Sequence, residues 1–267
     1  MASTRVKLWA GLGAAVFAAG AGSQAAADTG TDDSGERSPT ALQLASGGHG
    51  EGGEGGEGGE GGTALPHDQK NLYRLAFLES HARVAHQLAQ AGEFDDARTH
   101  FGHVIEFSEG HMGEELREYG YETGEIMDAA EEVRDALEDR EESEIAEYTA
   151  ALLNALDRQK LRVPALKRND PDAAMSVATA LLRRAKSEYD AAVSEGQVTN
   201  LHEYQDGRGM VWTARELVGG TIGGLYGRNS DAQDKLLAQF DTLMAAFPTP
   251  TTPEAPRSPG EVSAAVS

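Results

Sequence analysis

The sequence predicts an all-α fold, a helical bundle of six or seven helices with a disordered N-terminal linker and a disordered C-terminal tail. Three observations predict it. Apolar residues recur at three- and four-residue spacing from about residue 67 to residue 247. Glycine, proline and side-chain caps interrupt that pattern at intervals of a helix length. No stretch sustains the alternation of a half-buried strand.

The elements follow in order. Residues 1–27 read as an export signal: Arg5 and Lys7 charge its start, Leu8 to about Gly20 is apolar, and Ala25-Ala26-Ala27 offers a cleavage site. That run is shorter than the roughly twenty residues a membrane span needs. No later stretch is long and apolar enough, so no membrane insertion is expected after signal cleavage, and the expected location is periplasmic or secreted. Residues 28–66 form a Gly/Glu-rich linker whose Gly-Gly-Glu triplets have almost nothing to bury. Its His49 and spaced glutamates make it at most a weak cation binder.

The helical domain is expected at 67–247. Leu72, Leu75, Ala76, Leu78, Ala82, Ala85 and Leu88 share the first helix, which Gly92 ends. Phe94, Ala97, Phe101, Val104 and Ile105 stripe the second. Gly110, Gly113, Gly120 and Gly124 then interrupt the chain, placing the next helix near Thr123, with Ile126, Ala129, Ala130, Val133 and Leu137 inward. Ile145 to Leu156 is another helix. Asp170 as cap and Pro171 at the first turn signal a helix from about Asp172 to Ser194. Asn200 caps Leu201 to about Val218, and a last helix spans roughly Asp231 to Phe247. The five prolines between Pro248 and Pro259 mark residues 248–267 as a Pro-rich disordered tail.

Composition excludes several function classes. A net charge of −21 and a pI near 4.7 oppose nucleic acid and anionic membranes as partners. Seventeen acidic against three basic residues lie between Glu106 and Glu147, and Glu131, Asp135, Glu138 and Glu142 line one ridge. With no cysteine, disulfides and thiolate metal sites are impossible. The sequence contains no nucleophile elbow, HExxH, Walker A, dinucleotide or EF-hand motif, so no enzyme activity is expected.

The histidines are crowded. His81, His86, His100, His103 and His111, five of eight in the chain, fall within about thirty residues. Imidazole and carboxylate donors suit iron, copper or zinc. His100, His103 and Glu106 lie at i, i+3 and i+6, a ridge that drifts by about 60° per step. A hairpin about Gly92 would bring His81 close to His103 and Glu106, with Glu79 beside it, and His86 nearer His100. His111 with Glu114 or Glu115 is a weaker pair. His202, Glu203 and Asp206 form a second candidate group, for which a plain Asn200–Glu203 capping box is the competing reading.

Two resemblances stand beside this reading. Ala85-His86-Gln87-Leu88-Ala89-Gln90-Ala91-Gly92-Glu93-Phe94-Asp95-Asp96-Ala97, followed by Phe101, resembles the turn of a tetratricopeptide repeat; without a second copy it implies a helical hairpin and no solenoid. Ala185 to Ala214, with Tyr189, Ala192-Val193, Glu195-Gly196-Gln197-Val198, Glu203-Tyr204 and Asp206, resembles the helical extracytoplasmic domain of bacterial oxidase-coupled-type iron permeases. The sequence has no apolar membrane helix to carry the permease's Arg-Glu-x-x-Glu motif, so the resemblance implies a soluble periplasmic helical module near metal uptake. Imelysin-like and other iron-uptake periplasmic helical proteins are a similar class, of whose His-x-x-Glu motif His111-Met112-Gly113-Glu114 has the spacing only.

The expectation is therefore an exported helical protein that binds an iron or copper ion as carrier or accessory to metal uptake. Its expected ligands are Glu79, His81, His100, His103, Glu106, His202, Glu203 and Asp206. Its expected partner is a membrane metal transporter or a periplasmic protein. The alternative is a non-catalytic module whose acidic face docks a partner.

Overall fold

Helices α1 His67–Gln90, α2 Phe94–Glu109, α3 His111–Glu118, α4 Thr123–Asp139 and α5 Glu142–Lys160 make up the first half of the fold. The second half holds α6 Ala165–Arg168, α7 Pro171–Ala192, α8 Leu201–Tyr226, α9 Ser230–Met244 and α10 Pro259–Val266. A two-residue hairpin, β1 Val193–Ser194 with β2 Gln197–Val198, joins α7 to α8. The computed structural model describes residues 65–226 and 230–267; the expected signal peptide and nearly all of the linker lie outside the described residues.

α1 is central, touching α2, α5, α7 and α8. Its sequence accounts for this, because Leu72, Tyr73, Leu75, Ala76, Phe77, Leu78, Ala82, Val84, Ala85 and Leu88 cover nearly its whole circumference. Enclosure has a second consequence. The polar residues Asn71, Glu79, Ser80 and His81 are buried with it and must find partners inside.

The expected caps are present. Asp170 Oδ1 accepts from the Asp172 amide at 3.1 Å with Pro171 in the first turn, and Asn200 Oδ1 faces the Glu203 amide at 3.5 Å. The hairpin between α1 and α2 turns at Gly92, whose φ of +83° is the left-handed conformation that favours glycine. α3 was not expected among so many glycines. It forms because Gly113 lets it press on the end of α2, where a Cβ would stand 1.7 Å from the Ser108 carbonyl oxygen. Arg117 of α3 then donates to the carbonyls of Ser108 at 2.9 Å and Glu109 at 3.2 Å, satisfying the end of α2.

α8 runs past Val218 to Tyr226, through glycines that weaken a helix without ending it. Close approach shapes its first half. A Cβ at Gly209 would sit 2.4 Å from the Ser80 carbonyl oxygen of α1, and one at Gly207 would meet the Phe247 ring at 2.9 Å. The two glycines let α8 lie between α1 and the C-terminal segment.

That segment departs from the expected disordered tail. Residues 248–258 run along the bundle because side chains of α7 and α8 donate to its backbone: Tyr189 Oη to Arg257 O at 2.8 Å, Tyr204 Oη to Thr249 O at 3.1 Å, and Gln205 Nε2 to Pro250 O at 3.2 Å. Ser258 and Glu261 close a capping box on α10, which buries Val262 against the bundle.

Candidate metal centre

Three helices converge on one point. His81 of α1 and His103 of α2 are each eleven residues from Gly92, so the antiparallel hairpin sets them opposite one another, with ring centroids 5.5 Å apart. His100 precedes His103 by one turn, 5.6 Å from it and 6.0 Å from His81. α8 supplies Asp206, brought in by the close approach at Gly209 less than one turn further on. One donor atom from each of His81, His100, His103 and Asp206 lies within 4.8 Å of the other three.

Asp206 Oδ1 stands 2.9 Å from His81 Nδ1 and 3.0 Å from His100 Nδ1. Yet neither nitrogen meets that oxygen with hydrogen-bond geometry, so the contacts are electrostatic. His81 and His100 are 1% and 0% exposed, which leaves water little access to them. Ligands adjacent to each other on an ion with bonds of about 2.1 Å lie roughly 3.0–3.4 Å apart. The Asp206 pairs already have nearly that spacing.

A hydrogen-bond chain fixes the His100 ring. Gln205 Nε2 donates to Asp96 Oδ2 at 2.9 Å and to Pro250 O, so its Oε1 must accept, and it does so from His100 Nε2 at 2.8 Å. In neutral His100 the remaining nitrogen, Nδ1, is then a bare lone pair facing a carboxylate oxygen 3.0 Å away. Two acceptors at that distance repel unless a cation, proton or metal, stands between them. Burial alone would push the His100 pKa down, but Asp206, with Gln205 and Asp96, outweighs it and raises the value. Burial would likewise raise Asp206, while His81 and His100 hold it well below the usual carboxylate range. His103 is pushed down to about 4, by burial first and by the neighbouring His81 second, and so stays a neutral donor.

One side of the cluster is an apolar wall. Phe77 lies 4.7 Å from the His81 ring, and Phe107 lies 5.3 Å from His81 and 5.9 Å from His103. Such a wall lowers the local dielectric and strengthens the field of the donors.

The remaining expected ligands go elsewhere. Glu79 turns to α5 and to its own helix, where it pairs with Lys160 Nζ and with Arg83 at 2.5 Å. Glu106 is exposed and does not join the converging donors. His202 and Glu203 separate from Asp206: His202 Nε2 lies 3.7 Å from Asp96 Oδ1, and Glu203 meets Glu188 of α7. The Glu203 carboxyl is thus engaged with α7, while the Asn200 cap stands on its own side-chain oxygen. His86 contacts Gln90 at 3.1 Å, and the exposed His111 lies 3.8 Å from Glu114. Gln205 and Asp96, which orient the centre, carried no sequence signal beyond their residue types.

Residues 164–267 match the model of the iron permease-associated 4-helix bundle domain. Comparisons with curated proteins and with solved structures find no significant match. The matched segment spans α6 to α10 and contains Asp206, Gln205 and His202; the three clustered imidazoles lie before it, on α1 and α2.

Proposed function

We propose that this chain is an exported helical protein, periplasmic or secreted, whose His81–His100–His103–Asp206 centre binds one divalent first-row metal ion. It would serve as a carrier or accessory beside a membrane iron transporter. The observation that carries the reading is the approach of His81 and His100 Nδ1 to a single buried carboxylate oxygen, with the His100 tautomer set by Gln205. The donor set of three imidazoles and one carboxylate fits Fe(II), Cu(II) and Zn(II). One negative charge in a buried site favours a divalent over a trivalent ion, because each uncompensated charge costs solvation. The match to an iron permease-associated domain supports iron as the cargo, and the signal-like N-terminus supports export. Copper(II) would bind such donors more tightly in vitro, so supply rather than affinity selects iron.

Anaerobic calorimetric titration with Fe(II), Cu(II) and Zn(II) tests this. One ion should bind per chain, and binding should vanish in the double variant His100→Ala/His103→Ala. Submicromolar binding that survives in that variant would overturn the site. A second reading, a non-catalytic module docking a basic partner, draws on the exposure of Glu131, Asp135, Glu138 and Glu142 along α4 and α5. Thermal stability indifferent to both chelator and added metal would favour it.

A further inference from the structure

We infer that His202 and Asp96 form an outer capture station, through which a hydrated divalent cation passes to the buried centre. The inference rests on the metal reading above. The centre's solvent side cannot be the Phe77–Phe107 wall, since those rings seal His81 and His103 there. On another side the His202 ring stands edge-on to His100, with centroids 5.9 Å apart.

The His202 side chain is 51% exposed and the Asp96 side chain 27%, whereas His100 is fully buried. His202 Nε2 and Asp96 Oδ1 are 3.7 Å apart, too far for a direct hydrogen bond and close enough for both to hold one partly hydrated ion. Asp96 cannot swing away freely, because Gln205 holds its other oxygen at 2.9 Å. Both residues lie in first helical turns, Asp96 on α2 and His202 on α8. Those two helices also carry His100, His103 and Asp206, so station and centre share one pair of helices and adjoin through the His202 and His100 rings.

Two exposed donors make a weak site, as a relay requires. An ion that exchanges some of its water for His202 and Asp96 arrives beside His100 already partly dehydrated. Since the station lies on the path and not at the end of it, its loss must slow arrival and departure alike.

Stopped-flow mixing with Co(II), read through its ligand-field absorption, tests this on the full mature chain. In His202→Ala the association and dissociation rates should both fall about tenfold, the low end of the gain from concentrating an ion at a cleft. The dissociation constant should change less than about twofold, and His202→Gln should fall between. The exposed His111→Ala should leave both rates as they are. Unchanged rates in His202→Ala would overturn the station, and so would faster dissociation at an unchanged association rate, which would make His202 a final ligand. Absence of any Co(II) signal in the unaltered chain would instead overturn the centre itself, and the station with it.

Discussion

Glu79 and His81 lie two residues apart on the same buried helix, and the groups around them balance charge in different ways. Glu79 faces Lys160 and Arg83, and these cations are in turn paired with Asp157 at 2.9 Å and Glu216 at 2.6 Å. Burial alone would raise the Glu79 pKa, but Lys160 and Arg83 outweigh it and lower the value. That network is complete within the protein. His81 faces Asp206, whose ion pairs among the described residues are with His81 and His100, groups that carry charge only when protonated. There the balance depends on something acquired from solution. A buried ion network with its own fixed cations is a strut, while one that relies on imidazoles can exchange a proton for a metal.

The largest effect should come from breaking the strut. Lys160→Met leaves Glu79 with Arg83 alone and should cost about 3 kcal/mol of stability, the low end for removing one partner of a buried pair. Chemical denaturation would measure it, and added Fe(II) should bind the variant with unchanged affinity. Breaking the orientation of the second cluster acts on binding instead. Gln205→Leu removes the acceptor that sets the His100 tautomer and should weaken metal affinity about 10- to 100-fold by calorimetry, as loss of such supporting contacts does elsewhere. Tyr204→Phe, which removes only the hydrogen bond to Thr249 O, should cost about 1 kcal/mol in stability. An accompanying loss of metal affinity would show that the C-terminal segment also steadies the centre through Pro250 and Gln205.

The smallest effect is a slope with pH. The folded His100 pKa is raised above the roughly 6.5 of an unfolded imidazole. Its contribution is therefore full below about pH 6.5 and is lost as pH rises through the folded value. His103, pushed down to about 4, works the other way, losing its contribution as pH falls from about 6.5 toward 4. Glu188, pushed up to about 8 by burial and then Glu203, adds a loss with rising pH. Chelated protein should thus melt at lower temperature as pH climbs from about 6.5 toward 8. Metal-loaded protein should show a shallower slope, retaining the Glu188 part, because the ion replaces the His100 proton. Parallel slopes in the two forms would contradict the exchange.

Much of the frame was legible. Apolar spacing placed α1, α2, α5 and α7 within a few residues, and Asp170 and Asn200 announced their helices. The hairpin about Gly92 pointed to the neighbourhood of His81 and His103. Other features were hidden for physical reasons. Glu79 looked like a ligand by proximity in sequence, yet residues i and i+2 on a helix point about 200° apart. His202 and Asp206, at i and i+4, both face α2, while Glu203 faces α7, so a compact motif supplies different sites. The C-terminal segment is ordered by donors on Tyr189, Tyr204 and Gln205, which its own proline-rich sequence cannot reveal. Asp206 was legible only as a carboxylate among many. It is singled out by Gly209, where the lack of a side chain lets α8 reach α1.

Anomalous diffraction from crystals of the mature protein loaded anaerobically with Fe(II) would test the centre most directly. One iron peak should lie within bonding distance of His81, His100, His103 and Asp206. A peak instead on exposed groups such as His111 and Glu114, with no iron between Asp206 and the imidazoles, would contradict it.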